Sequence, residues 1–565
     1  MKTKYIKCLL CGFVIFLSGC SLDEKYYSSV TPESFYQSQQ SVLQRIDRAF
    51  THTRWYIGSE FSIWQMQELP TDEYCLTTKG PHWYNGGTFQ RIHHHEWTPS
   101  EGQLWQCWYG AQMGVALALE AMEDLNKYVD YDALGFPEGT KEAHQMQLQT
   151  LIAYFYMRGL DFFGGMPIYT ATGGEDQPRS TDIQTFDHVE KLLKEAIPKL
   201  PKKTELGASE SGMINQATGA MMLAQLYFNA GAYVKKDMYS ECATLCQDII
   251  DGVYGNYKLD ENWYGPHCFT NDKSPEMIWN VPCQNQKLTV YGFMWGDGVH
   301  YNSSKYFDID GSSNNGIHMQ PSRKPTGEVY TEFKLGKPFA KFHDQDLRKK
   351  PYLYLGNEKY EGMFIFGVQK NPKTGSETTG TQEYNGQLIT LVDQVARFSE
   401  VGPGKKYASI ADLPSTIADG EENSGVRLIK YPIPNMAERN IRDNADLPIY
   451  RLTEVYYMLA ECKLRAGNKA DAATLINEVR KRNFENEIDP DPVTATNLDE
   501  YRMLDEWLIE FIGERRRRTD LIRWDAFVTE NWWDHKASNN PDLNRYPVPA
   551  KAMSSSNVLE QNPGY

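Results

Sequence analysis

The 565 residues exceed what one simple core fills and imply roughly two to four core units, or a repeat-built body that stays continuous. A formal charge of −16 repels phosphate backbones and argues against a nucleic-acid partner, while ordinary apolar (41%) and charged (23%) fractions argue against disorder. The unusual quantity is aromatic content: 13 Trp, 35 Tyr and 24 Phe exceed the needs of a core, so some belong on the surface, where flat apolar faces bind ligands.

The N-terminus reads as a processing signal. Lys2, Lys4 and Lys7 precede an apolar run from Leu9 to Leu17, far short of the ~20 residues a spanning helix needs. Leu17-Ser18-Gly19-Cys20 then resembles a bacterial lipobox, which implies cleavage of residues 1–19 and lipid on Cys20. Loss of those residues removes three lysines and no acid and takes the charge to −19. Asp23 and Glu24 directly afterwards resemble the surface-export signal of Bacteroidetes lipoproteins. Seven cysteines remain (75, 107, 242, 246, 268, 283 and 462); an odd number with no C-x-x-C pair argues against a disulfide framework and a zinc ribbon. Cys242 and Cys246 share one face of a predicted helix, as two thiols on a core stripe do.

Helical patterns dominate the first half. Thr31 caps a helix opening at Pro32, and Ser100 with Gln103 makes a capping box before an apolar-periodic run over 101–126. Further helices are predicted at about 140–162, 186–197, 215–231 and 237–251, then at 447–466, 469–483 and 499–519. Between them, about 255–430 is rich in Tyr, Asn, Gly and Ser and reads as loops with short strands. A weak repeat links Leu223-Ala224 and Gly231 to Leu459-Ala460 and Gly467, each followed by a second helix with a small residue, Ala243 or Ala473. That is the pattern of tetratricopeptide-like helix pairs, whose stacking makes a continuous core.

The C-terminal YPVPAKAMSSSNVLEQNPGY (546–565) closely resembles the ending of the SusD/RagB family of Bacteroidetes nutrient-binding lipoproteins. YRLTEVYYMLAECKLRAG (450–467), ADAATLINEVRKR (470–482), EFIGERRRRTDLIRW (510–524), MRGLDFFGGMPIY (157–169) and ELPTDEYCLTTKGPHWYNGG (68–87) agree with it. The resemblance implies a mostly α, SusD-like fold in which four tetratricopeptide-like pairs scaffold a loop-rich subdomain with short strands. It divides the mature chain, one body over 20–565, into an N-terminal helical part (20–255), a loop-rich ligand side (256–430) and a C-terminal part completing the scaffold (431–565). It further implies a non-catalytic lipoprotein, anchored to the outer membrane and facing the exterior. Such a protein captures oligosaccharide or polysaccharide for a TonB-dependent, SusC-like transporter, without a cofactor; the alternative is a RagB-like peptide binder of an oligopeptide importer.

Sugar rings stack their apolar faces on Trp and Tyr and satisfy their hydroxyls with acids, amides and cations. Residues 72–91 offer that combination: Asp72 and Lys79 precede Trp83, Tyr84 and Asn85 at a glycine-rich loop tip. Many relatives carry Arg where Lys79 stands and Trp at the Trp83 position, on the glycan surface. Trp83 is expected to touch ligand, with packing of the loop as its other use. A mid-chain loop with Tyr291, Phe293, Trp295, His300, Tyr301 and Tyr306 is the second aromatic candidate, from which Trp295 and Tyr301 are taken as ligand contacts. Trp532 and Trp533 are expected to pack on the helix before them. His93 and His95 would share a strand face, but a metal site needs a carboxylate or further histidine at the right geometry, and no metal is expected. The Arg515–Arg518 run lies among Glu510, Glu514 and Asp520, so ion pairs within the protein are expected rather than a nucleic-acid patch. Asp72-Glu73 are sequence neighbours rather than a couple flanking a cleft, and no glycosidase is expected.

Overall fold

A computed structural model of the protein describes residues 31–58, 63–205, 212–287, 295–308 and 313–565. The signal segment, Cys20 and its acidic neighbours, Tyr291 and Phe293 lie outside the described residues, as does the side chain of Trp295.

The molecule is mostly helical. Eight long helices form the frame: α1 (Gln39–Gly58), α2 (Gly102–Tyr128), α3 (Thr140–Phe163), α4 (Asp182–Ala196), α5 (Gln216–Phe228), α6 (Tyr239–Ile250), α7 (Leu452–Arg465) and α8 (Lys469–Arg480). They pack as α1/α2, α3/α4, α5/α6 and α7/α8, and each pair leans on the next, so four pairs stack in sequence order. Local chemistry explains the starts: Thr181 with Gln184 and Asn215 with Thr218 form capping boxes at α4 and α5. Along α4 the buried Thr185, Phe186, Val189, Leu193 and Ala196 follow helical spacing and set the face turned to its neighbours. Small residues allow the close approaches: a Cβ at Gly110 or Gly114 would collide with the rings of Tyr56 and Phe155. Ala224 and Ala460, the paired positions of the weak repeat, are both fully buried. Cys242 and Cys246 face the core, 3.9 Å apart.

Three predicted elements differ. The expected box at Ser100 does not form; Glu101 is the N-cap of α2 without a side-chain cap, because its carboxylate is held by Arg91 at 2.6 Å. The stretch 447–451 is a strand, not the first turns of α7, and it pairs antiparallel with Met277–Val281. The expected 499–519 helix is two, α9 (Glu500–Phe511) and α10 (Arg517–Arg523). Gly513 (φ 76) and Arg515 (φ 64) turn the chain between them. Buried acids from far upstream satisfy the freed backbone: Gly513 N–H donates to Glu73 and Arg516 N–H to Glu68. Burial, and the neighbouring Glu68, hold the Glu73 carboxyl well above its ordinary range.

The chain between α6 and α7 is organised differently. Its strands are short and belong to two-stranded antiparallel sheets, including Leu353–Gly356 with Lys359–Glu361 and Phe364–Ile365 with Arg427–Leu428. A separate small core of Phe269, Val299, Phe307, Tyr352, Tyr360, Ile365, Ile389, Leu391, Ile429 and Ile433 supports it. Because α6 and α7 still pack on each other, this long excursion stands beside the scaffold without interrupting it.

The arginine run is interior. Arg517 grips Asp72 with two bonds of 2.7 and 2.9 Å, Arg516 holds Asp520 and Glu454, and Arg518 donates to the carbonyls of Asp161 and Asn544. The partners thus come from across the chain as well as from the run's own helix.

Candidate functional site

The loop after Thr78 is a tight coil. Lys79 and His82 exchange backbone bonds of 3.0 and 2.9 Å around Gly80-Pro81, and Trp83, Asn85, Gly86 and Gly87 all have φ between 45 and 82. Trp83 and Asn85 reside in the left-handed region without being glycine, a cost that persists only where surroundings over-determine the conformation. Those surroundings are visible. Trp83 Nε1 donates to the Asn314 carbonyl at 2.8 Å, its ring lies on Gly316, where a Cβ would collide with it, and its edge meets Phe89. At the other end Arg91 donates to the Gly86 carbonyl at 2.8 Å while paired with Glu101, tying the coil to the start of α2.

The result is an ordered ledge. Tyr84 at its tip is 55% exposed, and Tyr109 is the other exposed aromatic among the described residues. Asn85 is exposed beside Tyr84, and Trp83 is half-buried, with one face committed to the protein. The mid-chain loop comes to the same place: the His82 ring sits 5.7 Å from Tyr301, which is half-buried. Burial, with the Glu422 and Glu383 charges adding to it, pushes the Tyr301 hydroxyl up to about 12, so it keeps its proton; it has no hydrogen-bond partner. His300 next to it bonds Glu422 at 3.2 Å. Burial disfavours the Glu422 charge, but His300 and the N–H groups of Thr381 and Tyr384 outweigh it and lower the carboxyl below its usual range.

Two of the expected contact residues are interior. Asp72 is fully buried and spent on Arg517 and on the Gly336 N–H, so it offers a ligand nothing. Lys79 is 2% exposed and its ammonium donates to the Gly316 carbonyl at 2.9 Å. Burial and the nearby Arg427 depress Lys79 well below an ordinary lysine. Lys79 and Trp83 therefore grip the 314–316 segment together, one from below and one at the rim. Trp295 opens a short helix, Trp295–Gly298, whose Asp297 carbonyl accepts from Gly316 and Ile317 N–H groups. Trp532 and Trp533 are buried, Trp532 stacked on His535 at 3.9 Å. What sequence reasoning missed is the floor: Asn314 and Gly316 hold the indole, and the Asn-Asn-Gly turn signal at 314–316 was the available clue.

His93 ends a short helix (Thr88–His93) rather than lying on a strand with His95. His95 bonds the Pro70 carbonyl at 2.7 Å, away from His93 and His94.

The sequence profile of the SusD family matches residues 275–565. The chain is 24% identical over 523 residues to the starch-binding protein SusD of Bacteroides thetaiotaomicron, covering 88% of this chain and 84% of that one. It is 30% identical over 222 residues to SusD-like protein P25 of Formosa agariphila, which covers 36% of this chain and 42% of the relative. Among solved structures, surface glycan-binding protein A from Bacteroides thetaiotaomicron in complex with laminarihexaose superposes with a TM-score of 0.65 at 15% identity, over 93% of this chain and 99% of that one. A SusD superfamily protein from Parabacteroides distasonis gives 0.64 at 14% identity, with 93% and 99% covered. At such identities the likeness establishes a shared fold.

Proposed function

The chain belongs to the SusD family, and from that premise we propose that it is a non-catalytic glycan-binding lipoprotein of the cell surface. Lipid on Cys20 anchors it to the outer membrane, and a TonB-dependent SusC-like transporter receives the captured oligosaccharide or polysaccharide. No helix among the described residues is long and apolar enough to cross a membrane, which is compatible with that anchor. The observation that carries the reading is the preorganised ledge: Trp83 pinned by the Asn314 carbonyl, Tyr84 exposed at the tip and Tyr301 against the adjoining His82. A ring held before the ligand arrives loses little entropy on binding. Asn85 supplies an amide for sugar hydroxyls and Tyr301 extends the aromatic surface, while Trp295 stays in the proposed contact set on its sequence alone. Asp72 and Lys79 leave the contact set and serve the ledge from within. Each stacked ring adds ~0.5–1.5 kcal/mol beyond area burial, so affinity for a single short oligosaccharide is modest.

The test is a glycan array followed by affinity gels containing the polysaccharide it selects. Wild-type protein is expected to be retarded and Trp83→Ala to run as in a gel without polysaccharide. Full retardation of a folded Trp83→Ala would move the site elsewhere. Capture of peptides with no glycan bound would replace this reading with the peptide-importer alternative. Gentle solubilisation should bring an outer-membrane transporter along.

A further inference from the structure

We propose that His93, His94 and Asp534 form a binding site for a borderline transition-metal ion, with Zn2+ the best match. The site joins the end of the Thr88–His93 helix to the turn that follows Trp532-Trp533, 440 residues later. One ring nitrogen of each histidine and a carboxylate oxygen of Asp534 lie within 4.8 Å of one another, and His94 Nε2 is 3.7 Å from Asp534 Oδ2. Among the described residues this is the one group of three such ligands so close together.

His93 is 1% exposed. Its Nε2 faces the Trp533 carbonyl at 3.2 Å, so the proton belongs on Nε2 and Nδ1 is left with a lone pair. That Nδ1 is buried without a partner. An unpaired buried acceptor is costly, and a ligating histidine characteristically gives its other N–H to a carbonyl or carboxylate. The backbone is held as well: His535 Nδ1 bonds the His93 carbonyl at 2.9 Å, and Ile417 N–H donates to Asp534 Oδ2 at 2.7 Å.

Two imidazoles and a carboxylate are donors zinc accepts, with bonds of roughly 2.0–2.2 Å and donors about 3.4 Å apart in a tetrahedron. The present spread is wider, and His94, with its side chain 32% exposed, is the ligand free to swing inward. The same exposure leaves the fourth position to water. The ion would tie the residues that follow the ledge to the C-terminal segment.

Titration of the purified, chelator-stripped chain with ZnCl2 should give one bound ion per chain and a raised Tm. His94→Ala and Asp534→Asn should each weaken binding more than about tenfold and abolish the Tm rise, whereas His343→Ala, at an exposed histidine, should change neither. Both variants should melt like wild type in chelator; for one that does not, Co2+ added to the wild-type chain should give the visible bands of a tetrahedral site. Absence of binding, or unchanged stoichiometry and affinity in both variants, would overturn the proposal, as would an octahedral Co2+ spectrum.

Discussion

The helical scaffold and the loop-rich side solve one problem, satisfying a buried backbone, by opposite means. In the scaffold each helix pairs its own peptide groups, and side chains are left to pack: Gly114 against Phe155, Gly110 against Tyr56, Ala224 and Ala460 in the core. On the loop-rich side, strands of two to five residues pair few peptide groups, and long polar side chains take over. Arg427, 1% exposed, donates to the carbonyls of Gly298, Ser424 and Gly425 and to Asn315; burial pulls it down to about 9. Asn271 bonds the carbonyls of Pro266 and Asp446, and Lys79 bonds that of Gly316. The difference teaches where each region is vulnerable. Scaffold stability is spread over many apolar contacts, while the loop-rich side depends on single polar groups whose loss strands several partners.

The seam between the regions should therefore be the most sensitive place. Glu510 accepts from Arg451 at 2.9 Å, Arg348 at 2.9 Å and Arg482 at 3.3 Å, all buried; Arg451 also holds Glu514, and Arg482 holds Glu276 at 2.6 Å. We predict that Glu510→Ala costs about 3–5 kcal/mol, because three buried guanidiniums lose a shared anion. A loss under 1 kcal/mol in urea melts would show that the regions are held by apolar contact instead. The same group sets a pH dependence. Burial opposes the Glu510 charge, but Arg451, Arg348, Arg482 and Lys430 more than offset it and bring the carboxyl down to about 2 from an ordinary 4.5. With the folded value depressed, the unfolded chain binds more protons, so this stability is complete above pH 4.5 and lost as pH falls towards 2. We expect on the order of 3 kcal/mol to go across that window. Glu510→Gln should flatten the acid limb; an unchanged acid limb would sink the assignment.

Much of the scaffold was legible because its determinants are local. Apolar spacing at 3.6 residues and cap residues lie within one helix, and the predicted 140–162 and 237–251 fall close to α3 and α6. The break at Gly513 was not legible, since what supports it, Glu68 and Glu73, lies over 400 residues upstream. Asp72 read as a surface acid for the same reason: nothing near it in sequence reveals Arg517. At the candidate site the aromatic loop tip could be found from Trp-Tyr-Asn-Gly-Gly, but the approach of Tyr301 to the adjacent His82 is a tertiary fact. Asp534 beside His94 is another: the carboxylate next to the three histidines in sequence is Glu96, whereas the one grouped with His93 and His94 in space comes from near the C-terminus.

A subtler test probes the scaffold's tolerance. Alanine for glycine inside a helix gains about 1 kcal/mol in propensity. At Gly114 the new methyl meets the fully buried Phe155 ring, an overpacking that costs about 1–3 kcal/mol. We expect Gly114→Ala to be net destabilising by about 1 kcal/mol, with glycan binding intact because α2 and α3 repack far more locally than they unfold. Stabilisation would mean that the pair has slack and that close packing is not what its small residues serve.

The smallest effect on stability should accompany a clear effect on binding. Tyr84 is the most exposed aromatic among the described residues, and beneath its ring lies Gly87, whose φ of 82 the Arg91 clamp on Gly86 and Glu101 already holds in place. Removing the ring leaves Trp83 bonded to Asn314 and the coil closed, so Tyr84→Ala should melt within ~0.5 kcal/mol of wild type. If Tyr84 stacks on sugar, the same variant loses one ring's contribution, ~0.5–1.5 kcal/mol beyond area, which is up to about tenfold in affinity. Trp83→Ala, by contrast, should lower both Tm and affinity, because that indole is a loop anchor and, in the proposed function, ligand surface as well. Equal Tm losses in the two variants would mean that Tyr84 is part of the packing, and unchanged glycan affinity in Tyr84→Ala would place the sugar on Trp83 and Tyr301 alone.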